Sequence, residues 1–412
     1  MTKKRGQSQQ DDDDDNDNNN NRIDNLDDNV LLEILERIPW IWAVECKCVC
    51  KKWYNLISDS HYSICSPFTF IFQLDYYDKY QVNRDGFVFY GFTEHPGFKT
   101  LGLSLSFLPC YNRTNPFRPV HIVMSYNNLL VCSEPPISNP IGIISETVYY
   151  IVDPIMRRYI QVPPVLTIQK PAAYGLFVAN SALFLSYKMV RVSSCWSSWM
   201  HESEYFCIEV FSSEVEEWKR TWFLSPKRKL FNDGGCSSTS AIAVNNKLHW
   251  VVERNVLVYD SSNETCTFIE VPPPQSMAKV TRCLGEFDGL IWLCQLESCA
   301  PFNNILNVWE LEEYGSGHIN WRLEHYMMWF GLEVEKFKSN EVLAFHPFDP
   351  NTLLMTYGDG LVRYNLRRGT LKEVMSWRGC DSSHVWTTKR VFPHHSSTRF
   401  YSSTFYSMID LT

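Results

Sequence analysis

No stretch of the 412 residues is long and apolar enough to cross a bilayer. Met1-Thr2-Lys3-Lys4-Arg5 leads into polar residues rather than into the apolar centre of a signal peptide. The expected setting is therefore the reduced nucleus and/or cytoplasm, with no membrane partner. An excess of positive charge is also lacking. The formal net charge is −8, much of it in one N-terminal run, which gives no support to nucleic-acid binding. The chain has no Gly-x-Ser-x-Gly elbow, no phosphate loop with Lys-Ser/Thr and no His-Glu-x-x-His, so nothing in it points to an enzyme or to a cofactor. Its 14 cysteines include no CxxC pair. On a helix Cys46 and Cys50 share a face while Cys48 points elsewhere, so the three cannot close a tetrahedral metal site. Small buried hydrophobes are the expected role for the cysteines, and no metal is expected.

What is present begins with Leu26 to Ser60, two amphipathic helices broken at Ile38-Pro39. In the first, Val30, Leu31, Ile34, Leu35 and Ile38 recur at helical spacing. Asp27, Asp28 and Asn29 put acceptors and negative charge where unpaired N–H groups need them. Pro39 stops the helix by clashing with the preceding turn. In the last helix Cys46, Val49, Cys50, Trp53 and Leu56/Ile57 form a second stripe, with Lys47, Lys51, Lys52 and Asn55 on other faces. A unit this short is too small for a core of its own. Its apolar side chains must be covered either by the rest of the chain or by a partner.

The order Leu26, Leu31, Ile34-Leu35, Ile38-Pro39, Val49-Cys50-Lys51-Lys52-Trp53, Leu56-Ile57-Ser58-Asp59 resembles the F-box. The resemblance implies docking on a Skp-type adaptor, and through it on cullin and RING subunits of a ubiquitin ligase. Carried over by position, the adaptor-binding residues are Leu26, Leu31, Leu35, Ile38, Pro39, Val49, Cys50, Trp53 and Leu56. One departure is visible: the proline that usually follows the first leucine is Asp27. That exchange is expected to loosen the start of the first helix while removing no apolar contact.

Residues 1–22 read as a disordered tail, basic, then Gln-rich, then a run of Asp and Asn. Residues 23–62 form the helical domain. From residue 63 to 412 the texture changes to short runs rich in Val, Ile, Phe, Tyr and Trp between turn residues. Five segments read as a strand, a turn and a second strand: 151–164, 208–223, 256–274, 308–325 and 361–374. Four others, 127–132, 180–186, 245–251 and 287–293, read as a polar turn followed by an apolar strand. Aligning Phe211, Tyr259, Leu311 and Tyr364 gives a period of about 50 residues, that of kelch-type blades. The fold class is thus mostly β, a small N-terminal α-helical F-box followed by a kelch-like β-propeller.

Val152-Asp153-Pro154 with Arg157-Arg158 and Val162-Pro163-Pro164 is similar to the signature of the plant F-box-associated domain. So are Leu248-His249-Trp250 before Val258-Tyr259-Asp260, Leu284-Gly285-Glu286 with Asp288-Gly289, and Val308-Trp309 leading to Trp321. This resemblance runs from Val120 to Val374. Ser63 to Pro119 fits only through the need to close the ring, and Phe400 to Leu411 is the segment expected to supply the closing strand.

Within the propeller, His249 reads as a core histidine, and Asp153 and Asp260 as carboxylates accepting local N–H groups at turns. The serine-rich stretch Ser193 to Glu204 carries Trp196, Trp199, Met200 and His201. Aromatics in such a loop suit a contact with a target protein; packing on the neighbouring blade is the alternative. Lys227-Arg228-Lys229 offers charge to an acidic partner or to solvent. The reading is a substrate receptor of an SCF-type ubiquitin ligase that makes no bond itself. The competing reading is an interaction scaffold with a weak or vestigial F-box.

Overall fold

The computed structural model describes residues 26–37, 46, 49–58, 68–74, 87–92, 105–110, 120–126, 129–134, 145–154, 157–167, 171–180, 185–194, 205–226, 240–275, 279–299, 303–312, 319–330, 341–346, 349–357, 360–376 and 389–395. The chain divides into two compact units, Met1–Cys65 and Ser66–Thr412.

In the first unit, α1 (Asp28–Arg37) and α2 (Lys51–Ser58) pack on one another. Asp27 is the N-cap of α1. Its Oδ1 accepts the Asn29 N–H at 2.8 Å and its carbonyl accepts the Leu31 N–H at 3.0 Å. The exchange expected to loosen this start secures it instead, because an aspartate here satisfies an amide that α1 cannot pair internally.

The second unit opens with β1 (Phe68–Leu74) and β2 (Phe87–Phe92). Blade 1 follows as β3 (His121–Tyr126), β4 (Leu129–Ser133), β5 (Ser145–Asp153) and β6 (Arg158–Thr167). Blade 2 is β7 (Ala173–Asn180), β8 (Leu185–Ser194), β9 (Tyr205–Ser212) and β10 (Glu217–Leu224). Blade 3 is β11 (Ile242–Val244), β12 (Lys247–Val252), β13 (Asn255–Asp260) and β14 (Thr265–Glu270). Blade 4 is β15 (Lys279–Phe287), β16 (Leu290–Cys299), β17 (Asn303–Leu311) and β18 (Trp321–Phe330). Blade 5 is β19 (Glu341–His346), β20 (Asp349–Tyr357), β21 (Gly360–Asn365) and β22 (Thr370–Ser376), and β23 (Lys389–His395) ends the described chain.

Each blade is a four-stranded antiparallel meander, and a further sheet has the order β2-β1-β23. The first strands of successive blades pack on one another, β3 on β7, β7 on β11, β11 on β15 and β15 on β19, while β23 packs on β3. This is a β-propeller. Pairing of β1 with β23 joins the start of the unit to its end, Ile71 opposite Phe392. The segment 400–411 expected to close the ring lies outside the described residues.

The core lies between blades. Tyr149 and Ile151 pack with Met189 and Phe211 between blades 1 and 2, while Tyr150 and Val152 on the same strand point the other way, onto Leu105, Leu108 and Cys110. Alternate residues of a strand face opposite sides. A middle strand covered on both sides is therefore buried along its whole length, as β4 is. Outer strands such as β10 alternate instead.

Neighbouring blades are also tied by indole N–H groups. Trp218 donates to the Pro163 carbonyl (2.9 Å), Trp250 to Tyr174 (2.8 Å) and Trp321 to Glu270 (2.9 Å), each reaching back one blade. Inner strands come close enough to the next blade to need glycine. A Cβ on Gly285 would lie 2.5 Å from Cδ2 of Phe345, and one on Gly175 would lie 2.3 Å from Cδ1 of Leu248.

Turns repeat as faithfully as strands. The residue entering the fourth strand has positive φ in four blades: Arg157 (54°), Glu216 (59°), Glu264 (56°) and Gly369 (62°). Asn245-Asn246 and Asp288-Gly289 are two-residue turns with φ positive at both positions, which suits the twist of a hairpin.

Candidate functional site

Two places present exposed apolar side chains together with charged groups: the helical unit and the wall of blade 2. On α1, Leu31 is 1% exposed, whereas Val30 and Ile34 are exposed. Val49, just before α2, is 62% exposed. Leu26, Cys50, Trp53 and Leu56 are half-buried. The indole Nε1 of Trp53 is buried with no hydrogen-bond partner among the described residues. Lys52 does more than face solvent: its Nζ donates to the Leu26 carbonyl at 2.7 Å and pairs with Asp28 at 3.1 Å, fastening the two helices. The side chain of Leu35, and Ile38 and Pro39 altogether, lie outside the described residues. Spacing alone placed Leu31 and Ile34 on one apolar face, and the fold separates their duties. Leu31 is buried, while Val30, Ile34 and Val49 present apolar surface.

In the propeller, Trp196, Trp199, Met200 and His201 lie outside the described residues, as do residues 227–229. The strand ends from which those segments leave are described. Tyr205 opens β9 and is 54% exposed; Trp222 (53%) and Leu224 (63%) close β10. Register sets Leu224 opposite Tyr205 and Trp222 opposite Cys207.

Beneath them is a cluster that periodicity did not reveal. Arg191 on β8, Glu209 on β9 and Arg220 on β10 are cross-strand neighbours. The Glu209 carboxylate accepts from Arg191 Nε at 2.5 Å, and from Arg220 Nε at 2.8 Å and Nη2 at 2.5 Å. Arg191 extends into blade 1, donating to Tyr149 Oη (3.3 Å) and the Leu166 carbonyl (3.1 Å), with its guanidinium over the Tyr149 and Trp218 rings. Burial works against the Arg191 charge. The hydrogen bond and charge of Glu209 and the contact with Tyr149 together outweigh it, and Arg191 holds its proton more tightly than an ordinary arginine. The available signal was a charged residue inside each of two otherwise apolar runs, Met189-Val190-Arg191-Val192 and Cys207-Ile208-Glu209-Val210.

His249 is fully buried, and desolvation lowers its pKa to about 4, so it is neutral at physiological pH. Asp260 accepts the Ser262 N–H at 2.9 Å, the bond that chiefly lowers its pKa. Both are structural. Burial raises the thiol pKa of Cys132 and Cys294, which makes them poor nucleophiles. Among the described residues no group of three or more His, Cys, Asp or Glu side chains could hold a metal ion.

The chain thus joins a β-propeller to a preceding short helical unit that keeps apolar side chains exposed. The family described as F-box protein At3g26010-like, beta-propeller, matches residues 84–409, and the chain belongs to this family of plant F-box proteins. It is similar to the F-box/kelch-repeat protein At1g15680 of Arabidopsis thaliana, 22% identical over 346 residues, covering 80% of this chain and 78% of that one. The F-box protein At5g49610 of the same plant is 24% identical over 380 residues, covering 89% and 95%. Among solved structures, apo AztD from Citrobacter koseri aligns over 81% of this chain and 99% of its own at 8% identity, with a TM-score of 0.32, and carries no argument.

Proposed function

We propose that this chain is the substrate receptor of an SCF-type ubiquitin ligase, working in the nucleus or cytoplasm. Val30, Ile34 and Val49 would meet a Skp-type adaptor, with Leu26, Cys50, Trp53 and Leu56 at the same interface. Leu31 would support this face from within. Leu35, Ile38 and Pro39 complete the set that the motif implies. The propeller would hold a target protein while the cullin and RING subunits bring an E2 enzyme to its lysines. The mechanism is proximity, tethering in place of a bimolecular encounter, and this chain makes no bond itself.

The observation that carries this reading is the exposure of three large aliphatic side chains on a capped helical pair, in a chain of the F-box propeller family. Each such side chain moved out of water on docking contributes about 1.5–3 kcal/mol. Asp27 was the reason to consider a vestigial F-box, and its capping of α1 supports a formed first helix. The test is co-expression of the full chain with a Skp-type adaptor, alongside Val49→Asp. Co-purification of the wild type and its loss in Val49→Asp, with the propeller melting unchanged, is the expected result. A folded wild type that leaves the adaptor behind would return the chain to the scaffold reading.

A further inference from the structure

The outer wall of blade 2 has a composition that stability does not require. On β10, Glu217, Lys219, Thr221 and Phe223 face one way and Trp218, Arg220, Trp222 and Leu224 the other. The second row turns toward blade 1. At its near end Trp218 is closed onto β6 by the bond to the Pro163 carbonyl. Further along, Trp222, Leu224 and the facing Tyr205 are each more than half exposed. The outer strand of blade 3 presents Thr265, Thr267 and Glu270 to water instead. In blade 4 the exposed Leu323 lies between Arg322 and Glu324, which are ion-paired at 2.7 Å, and the exposed Tyr326 is two residues further on. Three large apolar side chains, two strands wide and joined by register, are the kind of patch a partner covers.

Two further features state what would cover it. β10 is the last strand of its sheet, so one row of its N–H and C=O groups has no strand beside it among the described residues. The charge under the patch is also unbalanced. Among the described residues Arg191 and Arg220 share one carboxylate, that of Glu209, so this triad carries one net positive charge. Arg220 is the exposed member, with its side chain 40% accessible, and Glu209 takes only its Nε and Nη2. Along the strand the wall reads cation, Trp, Leu at every second position.

We propose that this wall holds the target through strand addition. The occupant is an extended segment of the target with two bulky apolar side chains and one carboxylate at alternate positions. Main-chain hydrogen bonds to the β10 edge would give affinity, and the alternating side chains would give selectivity. The carboxylate lies beside Arg220 and the apolar pair beside Trp222 and Leu224. The inference rests on the target-holding role proposed above and names the chemistry of that target.

The test uses the full chain and a short fluorescein-labelled peptide with isoleucine, leucine and glutamate at alternate positions and threonine between them, read by anisotropy. Wild type binds it, and Trp222→Thr weakens binding about tenfold or more, as loss of an aromatic hot spot does. Exchanging the peptide's glutamate for lysine weakens wild-type binding, and added salt weakens the glutamate complex. Leu224→Thr, a surface change of smaller volume, repeats the loss more mildly. Failure of the wild type to bind, binding undiminished in both variants, or equal affinity for the glutamate and lysine peptides would overturn the proposal. Adaptor co-purification measured on Trp222→Thr separates the two readings. If it persists, peptide failure sinks only the wall, whereas its absence from wild type sinks the receptor role itself.

Discussion

Blade 2 and blade 4 each bury an arginine, and they settle its charge differently. Arg191 meets a carboxylate directly. Arg282 instead donates Nε to the neutral Gln295 Oε1 at 2.9 Å and Nη1 to the Glu253 carbonyl of blade 3 at 3.1 Å. The blade 4 carboxylate, Glu297, accepts from the Gln275 N–H at 2.9 Å and from the amides of Gln295 and Asn307 at 3.2 Å each. The two arginines accordingly shift in opposite directions. Arg191 is raised by Glu209, while Arg282 is lowered by desolvation and by Arg254, with Glu297 opposing. A neutral relay spreads one charge pair over four side chains, Arg282, Gln295, Glu297 and Asn307. A direct triad is tighter, and its extra positive charge is left at the wall.

This contrast can be broken first at Glu209. Glu209→Ala strands two guanidiniums, one of them fully buried, and should cost about 3–5 kcal/mol in urea-induced unfolding of the propeller. Glu297→Gln keeps hydrogen-bonding atoms in place and should cost less, about 1–3 kcal/mol. Equal losses at the two sites would mean that the direct pair has no special weight. Blade 3 offers a third solution, a buried group kept neutral. The folded pKa of His249 (about 4) is below the unfolded value near 6.5, so the unfolded chain takes up a proton first as pH falls. Its neutral form costs nothing above pH about 6.5; stability is then lost down to pH about 4, by up to about 3 kcal/mol. His249→Gln should flatten that segment of the stability–pH curve, and an unchanged slope would show that other groups set it. Close packing gives a smaller effect. Gly285→Ala forces the Phe345 ring to move, at about 1–3 kcal/mol by thermal unfolding.

The same contrast explains what the sequence made legible. Phe211, Tyr259, Leu311 and Tyr364, chosen for their spacing, all fall on third strands, β9, β13, β17 and β21. The turn-then-strand segments 127–132, 245–251 and 287–293 run into the second strands of blades 1, 3 and 4, whereas 180–186 lies mostly outside the described residues and reaches only the start of β8. Those strands are rich in apolar residues beside turn residues, which is the strongest local signal. Inner strands were harder to see. β11 has only three residues; among second strands, β20 begins Asp349-Pro350, where a proline argues against a strand. The buried charges were invisible for a further reason. In Ile208-Glu209-Val210 alternation sends the glutamate to solvent, yet a middle strand of a blade has no solvent side, and its partner Arg191 is 18 residues away. In the helical unit the docking residues were legible from motif order, but which of them are inside was set by how the helices pack.

The smallest expected effect is the most local. At Asp27 one side-chain oxygen accepts one amide, and Asp27→Ala should cost the helical unit about 1 kcal/mol. Restoring the proline usual in the motif tests what that oxygen does. Proline at this position brings no acceptor for the Asn29 N–H, so Asp27→Pro should lose the cap as well and fray α1 at its first turn. Because Lys52 independently ties Leu26 and Asp28 to α2, neither change should abolish adaptor binding. A modest weakening, about tenfold at most for 1 kcal/mol of lost order, is the expected reading in a titration of adaptor against the full chain. Complete loss would show that the start of α1 is part of the interface rather than its support.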